Sequence, residues 1–101
     1  MFNGAANEAF SDVDGISRVI GAEMGDILSR VPLTPDEDFA ASGGDSLRAV
    51  DLINRLVDRW HPVEGDAAER LRAALVTAVF DQATPGHLAA VVVAESRPPA
   101  T

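Results

Sequence analysis

Neither cysteine nor lysine occurs in this chain of 101 residues, and each absence removes a class of chemistry. Without cysteine there can be no disulfide, no thiolate metal site and no cysteine nucleophile. Without lysine there is no amine to which a biotin or lipoyl group could be attached. Aromatic residues make up only 5% of the chain against 47% apolar residues. The apolar mass is therefore Ala, Val, Leu and Ile, which suits helices packed close together better than a large aromatic-lined pocket. The longest apolar run, Leu88 to Ala94, is far too short for a membrane helix, which needs about 20 residues. The start, Met1-Phe2-Asn3-Gly4, lacks the basic segment and long apolar stretch of a signal peptide. These features are those expected of a soluble, cytoplasmic protein, with a monomer as the default.

Positive charge is also scarce. Eight bases, all arginine, face sixteen acids, for a formal charge of −8. This balance argues against nucleic acid or an anionic membrane surface as a partner and favours partners with basic docking surfaces. The same charge also serves simply to keep a small protein soluble. The length fits one domain. No internal repeat is present, and the two histidines and the acids show no metal-ligand spacing. The reading is a polar tail over residues 1–10, one domain over 11–95, and a proline-rich tail over 96–101.

Along the domain the apolar residues recur at helical spacing. Ser11 and Asp14 form a capping-box-like start. Val13, Ile16, Ile20, Met24, Ile27 and Leu28 then make a stripe facing a core. Gly15, Gly21 and Gly25 each cost this helix about 1 kcal/mol of propensity against Ala at exposed positions, and Pro32 is expected to end it. A long loop follows from Val31 to Asp45, with Leu33 and Phe39 as its anchors to the core. Loops of this length in small domains are usually functional or disordered.

A second helix is expected from Ser46, capped by Asp45, with Ala49, Leu52, Ile53, Leu56 and Trp60 buried. Leu47 and Val50 fall off that stripe, on the side that carries Ser46. They either form a contact surface or cover the long loop. His61-Pro62 and Gly65 break the chain. Asp66-Ala67-Ala68-Glu69 reads as another cap and first turn, before a helix burying Leu71, Ala74, Leu75, Ala78 and Val79 and closed by Phe80. Thr84-Pro85 is a strong start for the last helix, whose inner face is Leu88, Val91 and Val92. No run alternates with period two, so the fold class is all-α.

The candidate site is Gly43-Gly44-Asp45-Ser46-Leu47, a serine in the first turn of a helix after a loop freed by two glycines. Its hydroxyl is expected to be exposed, and the helix N-terminus favours negative charge there. An ordinary capped helix start with a spare serine would have the same local features.

The segment from Asp38-Phe39 through Gly43-Gly44-Asp45-Ser46-Leu47 to Ala49-Val50 resembles the phosphopantetheine attachment site of peptidyl carrier proteins from nonribosomal peptide (natural product, antibiotic) biosynthesis. Phe80, Thr84 and Leu88-Ala89 also match that family's signature near its last helix. Val50-Asp51-Leu52 and the acidic charge are similar instead to acyl carrier proteins of polyketide and fatty acid synthesis. Two positions depart from the family. Ser42 stands where leucine is usual and Ala40 where a second aromatic is common, so the loop loses two apolar anchors and is expected to pack loosely. The stretch from His61 to Val76 is longer than the family's link.

The resemblance implies a four-helix acyl-carrier-like bundle with a long loop between helices 1 and 2 and an extra helical segment before helix 3. It implies a carrier without catalysis of its own, with 4′-phosphopantetheine moved from coenzyme A onto Ser46 by a phosphopantetheinyl transferase that uses magnesium. The start at Met and the lack of another domain are those expected of a free-standing carrier, and an excised domain with an added Met would look the same. Asp45 would help dock that transferase and Gly44 would free the backbone. Leu47 and Val50, flanked by Arg48 and Asp51, would meet an adenylation or other acyl-loading enzyme and condensation, tailoring or thioesterase enzymes. Two readings of another class stay beside it. Gly44-Asp45-Ser46-Leu47 spells the motif of a hydrolase family, but neither His61 nor His87 has a recognisable acid partner motif. A helical adaptor without a prosthetic group would have the same fold.

Overall fold

In the computed structural model, which describes residues 13–96, the apolar stripes become four helices. They are α1 (Val13–Leu28), α2 (Ser46–Trp60), α3 (Asp66–Asp81) and α4 (Pro85–Ser96), and no strand occurs among the described residues. This is the expected all-α bundle. The Ser11 cap and the two terminal tails lie outside the described residues, except for the backbone of Ser96, which closes α4.

The centre is aliphatic. Ile16, Ile20 and Met24 of α1 meet Leu52 and Leu56 of α2, Leu71 and Leu75 of α3, and Leu88 and Val92 of α4 in one continuous core. Each such side chain contributes about 1.5–3 kcal/mol by leaving water. α1 packs most extensively on α4 and α4 on α3, while α2 leans on α1 and α3. Periodicity misplaces only margins. Val13 is exposed, Ile27, Leu28, Trp60, Ala74, Val79 and Val91 are half-buried, and Val57 and Ala68 join the core.

α1 ends before Pro32 is reached. Ser29 takes a left-handed conformation (φ 57°). Its N–H donates to Asp26 O at 3.2 Å and that of Arg30 to Gly25 O at 2.9 Å, the bond pair of a Schellman cap. The glycines of α1 also prove to be contacts. Gly21 and Gly25 are buried, and a Cβ on Gly21 would lie 2.2 Å from the Leu33 carbonyl oxygen. That closeness lets the Leu33 N–H donate to Gly21 O at 3.1 Å.

The extra helical segment is present as the first turns of α3, which runs unbroken from Asp66 to Asp81. Its N-cap is Gly65, without a side-chain cap bond, so Asp66 is the first helical residue and not the cap. Asp66 and Glu69 then place negative charge at the positive end of the helix.

The long loop is stitched down by its backbone. The Phe39 N–H donates to Ala83 O at 2.8 Å and the Gly86 N–H to Pro35 O at 3.1 Å, tying it to the α3–α4 corner. Glu37 accepts from the Thr34 N–H at 2.8 Å, and Arg30 lies 3.4 Å from the same carboxylate. Leu33 and Phe39 are buried as expected. Looseness was the expected result of having Ala40 and Ser42; the loop is instead bonded down, and Ala40 borders open space beside α2.

Candidate functional site

The start of α2 is built by a short chain of local bonds. An Asp38 carboxylate oxygen accepts from the Ala41 N–H at 3.0 Å, and the Gly44 N–H turns back to Phe39 O at 2.8 Å. Gly43 sits at φ 115°, a conformation that side chains disfavour. Two residues on, Asp45 is extended (φ −87°, ψ −174°), and its Oδ1 accepts from the Arg48 N–H at 2.9 Å. That is an N-cap, worth about 1 kcal/mol. Its other oxygen, Oδ2, lies 3.0 Å from the Arg48 guanidinium.

Ser46 follows as the first residue of α2 and is exposed. The first N–H groups of any helix lack an intrahelical acceptor. Here that of Arg48 is taken by Asp45, which leaves those of Ser46 and Leu47 for an outside acceptor. Leu47 is 82% exposed and Val50 55%, so both stand off the core as their spacing predicts. Arg48 and Asp51 are exposed too, but each is engaged within the chain: Arg48 with Asp45, and Asp51 Oδ1 with Arg55 at 3.3 Å.

One part of the site was not anticipated from the sequence. A groove of about 300 Å³ opens beside Ser46, walled by Phe39, Ala40, Ala49, Val79, Phe80 and Ala83. Phe80, at the far end of α3, is 73% exposed. The available signal was its position five residues after Leu75 and two after Ala78, which turns it off the buried stripe of α3.

No histidine serves the serine. His61 lies at the opposite end of α2, fifteen residues and about 22 Å along the axis from Ser46. His87 is in α4, 3.8 Å from Asp81, and is not among the residues around the groove. Among the described residues no group of three or more His, Asp or Glu could hold a metal ion, and no helix is long and apolar enough to cross a membrane.

The phosphopantetheine attachment site family matches residues 15–61, from the first turn of α1 to the cap that closes α2. That stretch carries a phosphopantetheine attachment domain, consistent with a carrier protein family. The chain is a phosphopantetheine carrier protein in the general sense, and its prosthetic group is a covalent 4′-phosphopantetheine. Carrier domains of this kind generally work with a phosphopantetheinyl transferase and with partner enzymes, and are generally not catalytic themselves. No curated protein and no solved structure matched the chain.

The residues present fit such a group. An exposed hydroxyl, free N–H groups at a helix start and the Arg48 guanidinium beside Asp45 together accommodate a phosphodiester.

Proposed function

We propose that Ser46 is the residue that bears the arm and that the protein is a peptidyl carrier, holding aminoacyl or peptidyl cargo for a nonribosomal synthesis. The observation that carries the first half is the position of Ser46 among the serines of the matched segment. Ser17 is buried, Ser42 is half-buried in the loop turn, and Ser29 sits at the C-terminal end of α1, where the helix dipole repels a phosphate. Only Ser46 combines exposure with a helix N-terminus.

The transferase would supply the base. The Ser46 oxygen bonds to the phosphorus bearing pantetheine in coenzyme A, the adenosine bisphosphate portion leaves, and the serine proton passes to that base. Once attached, the arm supplies a terminal thiol that holds the cargo as a thioester. The chain's own residues do the rest: Asp45 fixes the helix start, Gly44 keeps it close to Phe39, and Leu47 and Val50 offer apolar contacts to adenylation, condensation, tailoring or thioesterase enzymes. On this reading the protein works as a carrier, and its partners supply the chemistry.

The Gly43-Gly44-Asp45-Ser46-Leu47 sequence with Ala49 favours the peptidyl class. Val50-Asp51-Leu52 and the charge of −8 favour the acyl class as the second reading. Cleavage of the modified protein after arginine gives a Val31–Arg48 peptide whose only serines are Ser42 and Ser46. Fragmentation should place the arm on Ser46; an arm on Ser42 refutes the assignment. Loading by an adenylation enzyme with an amino acid supports the peptidyl class, and loading only by acyltransferases supports the acyl class.

A further inference from the structure

The formal charge of −8 as a whole favours partners with basic surfaces, yet α2 with its cap is neutral: Asp45, Asp51 and Asp58 are matched by Arg48, Arg55 and Arg59. Near the serine the matching is physical. Leu47, Asp51 and Arg55 follow one another at four-residue spacing, so they share one face of α2. Arg55 Nε donates to Asp51 Oδ1 at 3.3 Å, while its Nη1 donates to Asp26 Oδ2 at 2.7 Å and to Glu23 Oε1 at 3.1 Å. Arg48 is bonded to Asp45, and Asn54 accepts from Arg72 of α3. Asp58, the acid outside these pairs, lies about 18 Å along the axis from Ser46.

We infer that Arg55 is a specificity-determining residue: by holding Asp51 it closes this face of α2 to partners that would grip that acid, and leaves the face to partners with an uncharged, apolar surface. The inference rests on Ser46 as the attachment residue, because a partner that reaches its hydroxyl covers Leu47, Val50 and Asp51 as well. Half of the Asp51 side chain is open to water (50%), so without Arg55 its carboxylate would be within a partner's reach. With Arg55 in place, an incoming cation meets a guanidinium 3.3 Å from the same carboxylate. Like charges at that range repel, most strongly at low salt. Arg55 cannot swing aside without giving up Glu23 and Asp26 on α1. An uncharged partner meets neither obstacle. It covers Leu47 and Val50 and leaves the ion pairs at the wet rim of the contact. Discrimination here comes from a repulsive element set against the wrong partner, not from an added attraction to the right one.

The test compares two phosphopantetheinyl transferases on the full chain, one with a basic docking surface and one with an uncharged, apolar surface, with arm transfer followed by intact mass. In Arg55→Gln, KM for the basic enzyme should fall about tenfold at low salt, with kcat unchanged and the gain fading as salt rises. KM for the apolar enzyme should stay within about twofold of its native value. Arg55→Lys keeps the charge and should behave as the native protein does. Arg59 still bonds Glu23 in each variant, so α1 and α2 stay joined and the helical circular dichroism should match. Asp51→Asn should cost the basic enzyme far more in Arg55→Gln than in the native chain, because the gain passes through Asp51. An unchanged KM for the basic enzyme in Arg55→Gln overturns the inference, as does a gain that survives Asp51→Asn. Equal slowing with both enzymes reduces Arg55 to a strut between α1 and α2 and also overturns it, while the carrier reading stands because the arm is still attached. Absence of any mass gain in the native protein overturns this inference and the Ser46 assignment together.

Discussion

The Phe39 ring occupies the space that a side chain on Gly44 would need: a Cβ there would come within 2.3 Å of two ring carbons. The backbone is drawn together by the 2.8 Å bond from the Gly44 N–H to Phe39 O, and Phe39 is buried, so the ring has nowhere to retreat. Ser46 stands two residues beyond this contact. Gly44→Ala should therefore lower stability by about 1–3 kcal/mol, as overpacking does, and slow transfer of the arm. Urea denaturation and an arm-transfer time course measure the two effects. An unchanged midpoint contradicts the contact.

Asp45 has two separable functions. As N-cap it holds the Arg48 N–H, and Asp45→Ala should cost about 1 kcal/mol. Asparagine caps about as well as aspartate, so Asp45→Asn should keep the helix and lose only the charge, including the pairing with the Arg48 guanidinium. Slower arm transfer at unchanged stability in Asp45→Asn is the expected result if the charge serves the transferase. Equal rates would confine Asp45 to capping.

Acid should loosen the seam between α1 and α2. Glu23 of α1 accepts from Arg59 at 2.7 Å and from Arg55 at 3.1 Å, and Arg55 also bonds Asp26 and Asp51. The Arg59 hydrogen bond, joined by that of Arg55 and opposed by partial burial, holds the Glu23 carboxyl below its usual 4.5. A depressed folded-state value means that this stabilisation is complete above the ordinary carboxylate range and is lost as pH falls through the lowered value. Near neutrality Glu23→Gln should cost up to about 1 kcal/mol, screened by salt. Denaturation across the acid range should show the gap to the native protein closing; a gap independent of pH contradicts the ionic seam.

Leu47 touches water over most of its surface, so Leu47→Asp should change stability by no more than about 0.5 kcal/mol. Cargo loading by the partner enzyme should nevertheless slow, because an apolar contact is replaced by a charge. Unchanged loading kinetics would remove Leu47 from the docking surface.

Much of this was legible in the residues. The stripe from Ala49 to Leu56 and the caps at Asp45 and Thr84-Pro85 are local signals, and each landed where its spacing put it. The features that escaped depend on parts of the chain distant in sequence. Gly21 and Gly25 look like weak points of a helix until the backbone from Arg30 to Leu33 is seen lying on them. Pro32 looks like the helix stop because a left-handed serine at position 29 has no strong sequence mark. The groove joins Ala40, Ser46 and Phe80, which come together only when α3 packs beside α2. Leu47 and Val50 were readable as exposed apolar positions, but the bonds of Arg48 to Asp45 and Asp51 to Arg55 were not.

The most direct test of the central claim is the intact mass of the protein after incubation with coenzyme A, magnesium and a broad-specificity phosphopantetheinyl transferase, beside Ser46→Ala treated alike. The native protein should gain one phosphopantetheinyl group and Ser46→Ala none. A gain in both, or in neither when both are folded, contradicts the assignment of Ser46 as the residue that carries the arm.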